Sequence, residues 1–155
     1  MRLIIFSLLF IVSCGTETGN PVRPSELNST PTVDEDSKTT VSYSLLAKIC
    51  SKLKDCYTVS EETCISSSLS SDGFDAAYNL NTSTYSTLLQ IVNDEKDGKI
   101  SIQNETSKNQ CEADIDALTC SDNEIQNAYE VSAPSDFSNT DQAVPVGAGS
   151  CQDIY

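Results

Sequence analysis

Residues 41–64, VSYSLLAKICSKLKDCYTVSEETC, decide the fold of this chain because they combine a helical apolar pattern with three cysteines. Leucine and isoleucine recur every three or four residues in Val41–Asp55, which predicts an amphipathic first helix. Ser60 is a suitable N-cap for a second helix that runs to about Leu69, after which Ser70-Ser71-Asp72-Gly73 is expected to break it. The stretch therefore predicts two helices joined by a short turn, with cysteines on both.

Three more short helices are predicted further along the chain. Residues 85–92 carry an apolar stripe that follows a possible cap at Thr82 or Ser83. A fourth helix is expected over residues 105–118, and the capping-box sequence Ser121–Glu124 opens a fifth.

The segments between and after these helices are less regular. Ile100 and Ile102 alternate with polar residues after a turn at Asp97-Gly98, which predicts a short extended piece. The tail Val131–Tyr155 has no period, but Cys151 near its end indicates that it is pinned onto the helices. The predicted fold class is therefore all-α: a small disulfide-bridged domain of about four to five short helices with an irregular C-terminal tail.

The start of the chain has the pattern of an export signal. One positive charge precedes an uncharged apolar stretch that is too short to span a bilayer. Its end, Ile11-Val12-Ser13-Cys14, resembles the bacterial lipobox. The resemblance implies that residues 1–13 are a lipoprotein signal peptide, that Cys14 receives a diacylglycerol, and that the new amino terminus is acylated, for example with palmitate. Several acyl chains would anchor the protein permanently, and Gly15 in place of aspartate implies the outer membrane or cell surface.

Residues 14–40 are predicted to be the lipidated cysteine and a disordered tether, because they are rich in Gly, Pro, Ser and Thr and poor in apolar residues. The tether would hold a single domain, residues 41–155, away from the membrane. The opening Cys14–Pro21 resembles the start of uncharacterised lipoproteins from predatory Gram-negative bacteria. That likeness implies a location and no activity.

A second resemblance lies within the domain. Asp97–Ile100, Cys111–Cys120 and Val144–Cys151 are similar to segments of uncharacterised cysteine-rich exported proteins of myxobacteria and related predators. The resemblance implies a structural role for the cysteines, and it gives no activity to carry over to this chain.

Six cysteines in an exported domain predict three disulfides, because the cell envelope is oxidising. Zinc is disfavoured, since the chain has no histidine and the cysteines lack close C-x₂₋₄-C spacing. The six residues are Cys50, Cys56, Cys64, Cys111, Cys120 and Cys151.

The helical hairpin favours one pairing. Cys50 and Cys64 are equally distant in sequence from Tyr57, so antiparallel helices would place them level with each other. The competing arrangement bridges Cys56 to Cys64 and sends Cys50 to the fourth helix. For the tail, we expect Cys151 to pair with one of the two cysteines of the fourth helix, Cys111 or Cys120.

The segment Asn93–Asn104 partly matches a calcium-binding EF-hand loop, with glycine and isoleucine at positions six and eight. Asn93, Glu95 and Asn104 occupy positions one, three and twelve, where that loop needs short carboxylates and a bidentate glutamate. These mismatches favour a polar turn around Asp97-Gly98. The sequence predicts no metal site and no cofactor.

Nucleophilic catalysis lacks its usual base, because the chain has no histidine. Lys48, Lys52 and Lys54 are the nearest substitutes, and their spacing places them on a solvated helix face. The tyrosines could form a recognition patch, but their helical spacing favours the core. They are Tyr43, Tyr57, Tyr78, Tyr85, Tyr129 and Tyr155.

Charge and composition define the expected function class. Without the signal peptide the chain has eight basic and 23 acidic residues, a net charge of −15, which repels nucleic acid. We expect a non-enzymatic outer-membrane or cell-surface lipoprotein, a binding or envelope-structural module held by its lipid, with an unidentified protein or glycan partner. The alternative is an envelope hydrolase that uses acidic pairs such as Glu61-Glu62 or Asp114 and Asp116, although neighbouring residues on a helix point apart.

Overall fold

The computed structural model describes residues 31, 33–80, 84–146 and 150–155. Within these ranges the regular structure is entirely helical, as predicted, with six α-helices. The helices are α1 (Val41–Tyr57), α2 (Glu61–Ser68), α3 (Phe74–Ala77), α4 (Leu88–Lys96), α5 (Glu105–Ala117) and α6 (Asn123–Ala128). Short 3-10 turns occur at Ser37–Thr39, Thr140–Ala143 and Cys151–Asp153. The signal peptide, Cys14, most of the predicted tether, and the possible caps Thr82 and Ser83 lie outside the described residues.

Helix α1 lies at the centre of the domain and contacts α2, α4, α5 and the first 3-10 turn. Its predicted apolar stripe is confirmed, since Leu45, Leu46, Ile49 and Leu53 have no exposed surface. Each such side chain contributes about 1.5–3 kcal/mol relative to an exposed one. Burial of this stripe is therefore the main hydrophobic contribution of α1 to the stability of the domain.

Three disulfides connect the helices. Cys50–Cys64 joins α1 to α2, as the hairpin geometry favoured, and the competing Cys56–Cys64 bridge is wrong. Cys111–Cys151 joins α5 to the tail, which is one of the two expected tail pairings. Cys56–Cys120 joins the end of α1 to the turn that follows α5.

The tail contributes to the core as well as being pinned to it. Phe137, Val144 and Ile154 are buried among the helices, although the sequence predicted only that Cys151 holds the tail down. The predicted extended piece at Ile100 and Ile102 does not form a strand. Instead the backbone N–H groups of residues 103 and 104 donate to the Ile154 carbonyl oxygen at 2.8 and 3.2 Å.

Helix α3 was not predicted, because residues 70–73 before it have the composition of a helix break. Gly73 has a left-handed φ of 90° and begins the helix. A Cβ atom at Gly73 would lie 2.5 Å from Oδ2 of Asp141, so only glycine lets the tail approach this closely. Gly73 therefore both interrupts the preceding segment and allows α3 to begin, and its packing against the tail explains why glycine is needed there.

One predicted helix start and one predicted helix cap are wrong. Helix α4 begins at Leu88, and Tyr85 precedes it with its hydroxyl donating to Asp94 at 3.2 Å. Helix α6 forms where the capping box predicted it, but its N-cap is Asp122, whose carboxylate accepts hydrogen bonds from the N–H and hydroxyl of Thr119 and none from a helix N–H.

The folded part continues upstream of residue 41, the boundary predicted from the sequence. Ser37 and Thr40 are buried. The Asp34 carboxylate accepts from the hydroxyl and N–H of Ser37 at 2.6 and 2.8 Å and pairs with Lys96 of α4 at 3.0 Å. These contacts, chiefly those from Ser37, lower the pKa of Asp34 to about 2.

The carboxylate of Glu95 on α4 caps the start of α1. It accepts hydrogen bonds from the N–H groups of Val41 (2.6 Å) and Ser42 (3.0 Å), and from the Ser42 hydroxyl (2.7 Å). The Tyr155 hydroxyl donates to it at 2.9 Å. A negative charge is favourable at a helix N-terminus, where the first N–H groups have no partner within the helix. One side chain therefore ties α4, α1 and the tail together.

Two tyrosine rings cover this carboxylate. Tyr78 and Tyr155 pack edge to face with centroids 5.8 Å apart. Burial, and after it the charge of Glu95, raise the pKa of both phenols well above the usual range. The Tyr78 hydroxyl is buried without a hydrogen-bond partner among the described residues.

We expect Glu95→Ala to lower the free energy of unfolding by about 2–3 kcal/mol, because it leaves two helix N–H groups and a phenol without their acceptor. Urea unfolding followed by circular dichroism measures the change. The exposed Asp97→Ala, just beyond the same helix, is the control and should stay within about 0.5 kcal/mol of the parent. Equal effects of the two substitutions would contradict the capping role.

Complete reduction should unfold the domain, because each disulfide contributes about 2–4 kcal/mol and the covering helices are short. Circular dichroism at neutral pH with excess reductant, compared with the same protein without it, should show a lost helical signal and a lower melting temperature. An unchanged signal and melting temperature would show that the core is stable without its bridges.

Candidate functional site

A surface groove lies between α1, α2 and the upstream segment. Its volume is about 590 Å³. Its floor is formed by apolar side chains and its rim by charged ones. The floor includes Val33, Tyr43, Ile65 and Leu69, and the rim includes Lys38, Glu61 and Glu62.

The spacing of residues on α2 explains the groove. Glu62, Ile65, Ser66 and the C-cap Leu69 are separated by three or four residues, so they share one helix face. The neighbouring Cys64 is fully buried and bonds this helix to α1. The disulfide therefore fixes which face of α2 is left to line the groove.

The rim is mainly acidic. Glu61 pairs with Lys54 at 3.3 Å, and Glu62 is exposed with no ion pair to the described residues. On the opposite side Lys38 pairs with Glu35 at 2.7 Å, and that carboxylate raises the pKa of the lysine ammonium. Lys38 at the rim and Lys54, which pairs with Glu61, are therefore both matched by carboxylates. Because Glu62 is left as the unmatched charge, the groove favours cationic over anionic ligands.

A second concavity, of about 420 Å³, lies near the start of α3. Its walls are hydroxyl and carboxylate groups, with Ser70, Ser71, Asp72 and Asp136 among them. It lacks the apolar floor that typical ligand sites have. The groove beside α2 is therefore the better candidate.

The other acidic pair considered from the sequence is divided between different partners. Asp114 accepts hydrogen bonds from Gln110 at 2.7 Å and Ser150 at 2.9 Å. Asp116 pairs with Lys48 at 2.8 Å, and its carbonyl oxygen accepts from Lys52 at 2.6 Å. These two carboxylates therefore hold α5 to the tail and to α1.

The lysines considered as bases have structural partners. Lys48 and Lys52 bind Asp116 of α5, and Lys54 binds Glu61 of α2. Most of the tyrosines are buried or packed against the core, as expected, with Tyr43 at the groove.

The segment Asn93–Asn104 forms the polar turn that the sequence favoured. Its first residues continue α4 to Lys96, and Gly98 turns the chain with a φ of 71°. Glu95 caps α1, and Asn104 caps α5 through the N–H groups of Thr106 and Ser107 at 3.1 Å. The described residues contain no cluster of three or more His, Cys, Asp or Glu that could hold a metal ion.

The groove was not predicted from the sequence. The spacing of Ile65 and Leu69 on α2 could have indicated an apolar face beside Glu62. The contribution of Val33 had no such signal, because it comes from a segment that was assigned to the tether.

No known family, curated protein or solved structure matches this chain. None of the helices in the described part of the chain is long and apolar enough to cross a membrane.

Proposed function

We propose that the protein is a non-enzymatic lipoprotein of the outer membrane or cell surface, anchored through Cys14, whose helical domain binds a protein partner in the groove beside α2. The lipobox-like end of the signal supports the anchor. The groove, with its apolar floor and acidic rim, is the observation that carries the binding role.

The chemistry of the groove favours an extended peptide segment with an apolar side chain next to lysine or arginine. The apolar residue would cover Ile65 and Leu69, and the cation would lie near Glu62. The net negative charge of the chain would attract such a partner from a distance. A neutral glycan would gain nothing from the rim charge. Its binding would therefore not change with salt concentration, which distinguishes it from a cationic peptide.

The hydrolase alternative rests on the presence of both Glu61 and Glu62 at the groove. A general acid at neutral pH needs a carboxyl group that is withdrawn from water. Glu62 is exposed, and Glu61 forms an ion pair with Lys54. These two carboxylates are therefore better suited to binding a ligand than to acting as a general acid and a general base. Bond cleavage in an envelope glycan that is lost in Glu61→Gln and Glu62→Gln variants would favour the hydrolase instead.

The anchor is tested by Cys14→Ser, which removes the sulfur that would be lipidated. The variant should move from the outer-membrane fraction to the soluble fraction, and labelled palmitate should no longer be incorporated. Ser13→Ala keeps a small residue before the cysteine and is the matched control. A Cys14→Ser protein that stays in the outer membrane would exclude lipid anchoring at this residue.

The groove is tested with a labelled peptide that carries one leucine between two lysines. Glu62→Lys should weaken binding about two- to fivefold, as expected for an exposed charge pair, and added salt should reduce the difference. Glu124→Lys is the matched control, because it makes the same charge change in the first turn of α6. Fluorescence anisotropy gives the affinities.

Equal weakening by both substitutions would mean that only net charge attracts the peptide. Binding that salt does not affect, or binding of a neutral glycan in place of the peptide, would also contradict the proposed partner class.

A further inference from the structure

The three disulfides differ in their access to solvent. The four cysteines of two of them have no exposed surface: Cys50, Cys64, Cys111 and Cys151. In the third, Cys120 is exposed and Cys56 is partly exposed. Exchange requires a thiolate to reach one sulfur of the disulfide. Only the Cys56–Cys120 bond offers this without prior opening of the domain.

The turn that carries Cys120 is held at the surface by its own hydrogen bonds. The Asp122 carboxylate accepts from the N–H and the hydroxyl of Thr119 at 2.6 and 2.9 Å. The N–H of Asp122 donates in return to the Thr119 carbonyl oxygen at 3.0 Å. These bonds lower the pKa of Asp122, so the charged form that closes the turn persists at neutral pH. Cys120 is therefore presented by a closed turn that does not depend on the disulfide.

The elements that this disulfide joins are also held by non-covalent contacts. Lys48 of α1 pairs with Asp116 of α5 at 2.8 Å, and Lys52 donates to the carbonyl oxygen of the same residue at 2.6 Å. The ring of Tyr57, next to Cys56, lies 4.8 Å from the ring of Tyr129 beyond α6. Cleavage of the bond would therefore leave α1 in contact with both sides of the Cys120 turn.

We propose that Cys56–Cys120 is a thiol-exchange site that opens while the domain stays folded. A thiolate from solvent attacks Sγ of Cys120, a new S–S bond forms there, and the Cys56 sulfur leaves as a thiolate that takes a proton from water. A monothiol stops at the mixed disulfide on Cys120. A dithiol, such as the active site of an exported thiol oxidoreductase, displaces Cys120 in a second step, so that the dithiol is oxidised and both cysteines are reduced.

The test uses the intact protein with glutathione in one arm and dithiothreitol in the other. Samples are quenched with acid at early times, alkylated, and mapped by mass spectrometry beside circular dichroism. Glutathione should give an adduct on Cys120 with a free Cys56, and dithiothreitol should free both. Thiols should appear here at least about tenfold faster than at the other four cysteines, which require local opening, and with the helical signal unchanged.

A double variant provides the control. Cys56→Ser with Cys120→Ser should keep the helical signal and lose the fast exchange, whereas Cys50→Ser with Cys64→Ser should keep the fast exchange. If the second variant does not fold, the map of the parent protein decides alone. First thiols at any of the four buried cysteines, or simultaneous opening of all three bridges with loss of helix, would overturn the proposal.

Discussion

The apolar stripe of α1 must be covered from several sides by elements that are too short to stay in place unaided. Helix α2 has 8 residues, α4 has 9 and α6 has 6, whereas isolated helices shorter than about 12–15 residues are marginal in water. Covalent bridges and one partly buried carboxylate hold them on α1. Cys50–Cys64 holds α2, and the Glu95 carboxylate holds α4. The turn before α6 is held by Cys56–Cys120 together with the Lys48–Asp116 ion pair and the contact between the rings of Tyr57 and Tyr129. Because these links are at different points along α1, the helix acts as the common support for the domain.

Features that repeat along the chain were predictable from sequence. The three- and four-residue spacing of Leu45, Leu46, Ile49 and Leu53 indicated both the helix and its buried face. Cys50 and Cys64 are equally distant in sequence from the turn at Tyr57, and this predicted their disulfide because an antiparallel hairpin brings such positions together. Helical spacing and the position of cysteines relative to a turn depend only on short stretches of sequence, so they can be identified without knowing the rest of the fold.

Features that depend on distant partners were not predictable. Glu95 appeared as a poor calcium ligand because its true partners, Val41 and Ser42, are more than 50 residues away. Gly73 appeared as a helix breaker because nothing nearby indicated that Asp141 would pack against it. The groove depends on Val33, whose polar neighbours predicted disorder. Each error concerns a residue whose role is defined by tertiary contact.

The disulfide connectivity tests this account most directly, because the cross-links determine which elements can cover α1. Digestion of the non-reduced protein at acidic pH, with cleavage after lysine and glutamate, separates all six cysteines onto different peptides. Mass spectrometry should then find Cys50–Cys64, Cys56–Cys120 and Cys111–Cys151. A peptide pair that links Cys56 to Cys64, or Cys120 to Cys151, would contradict the arrangement of helices around α1.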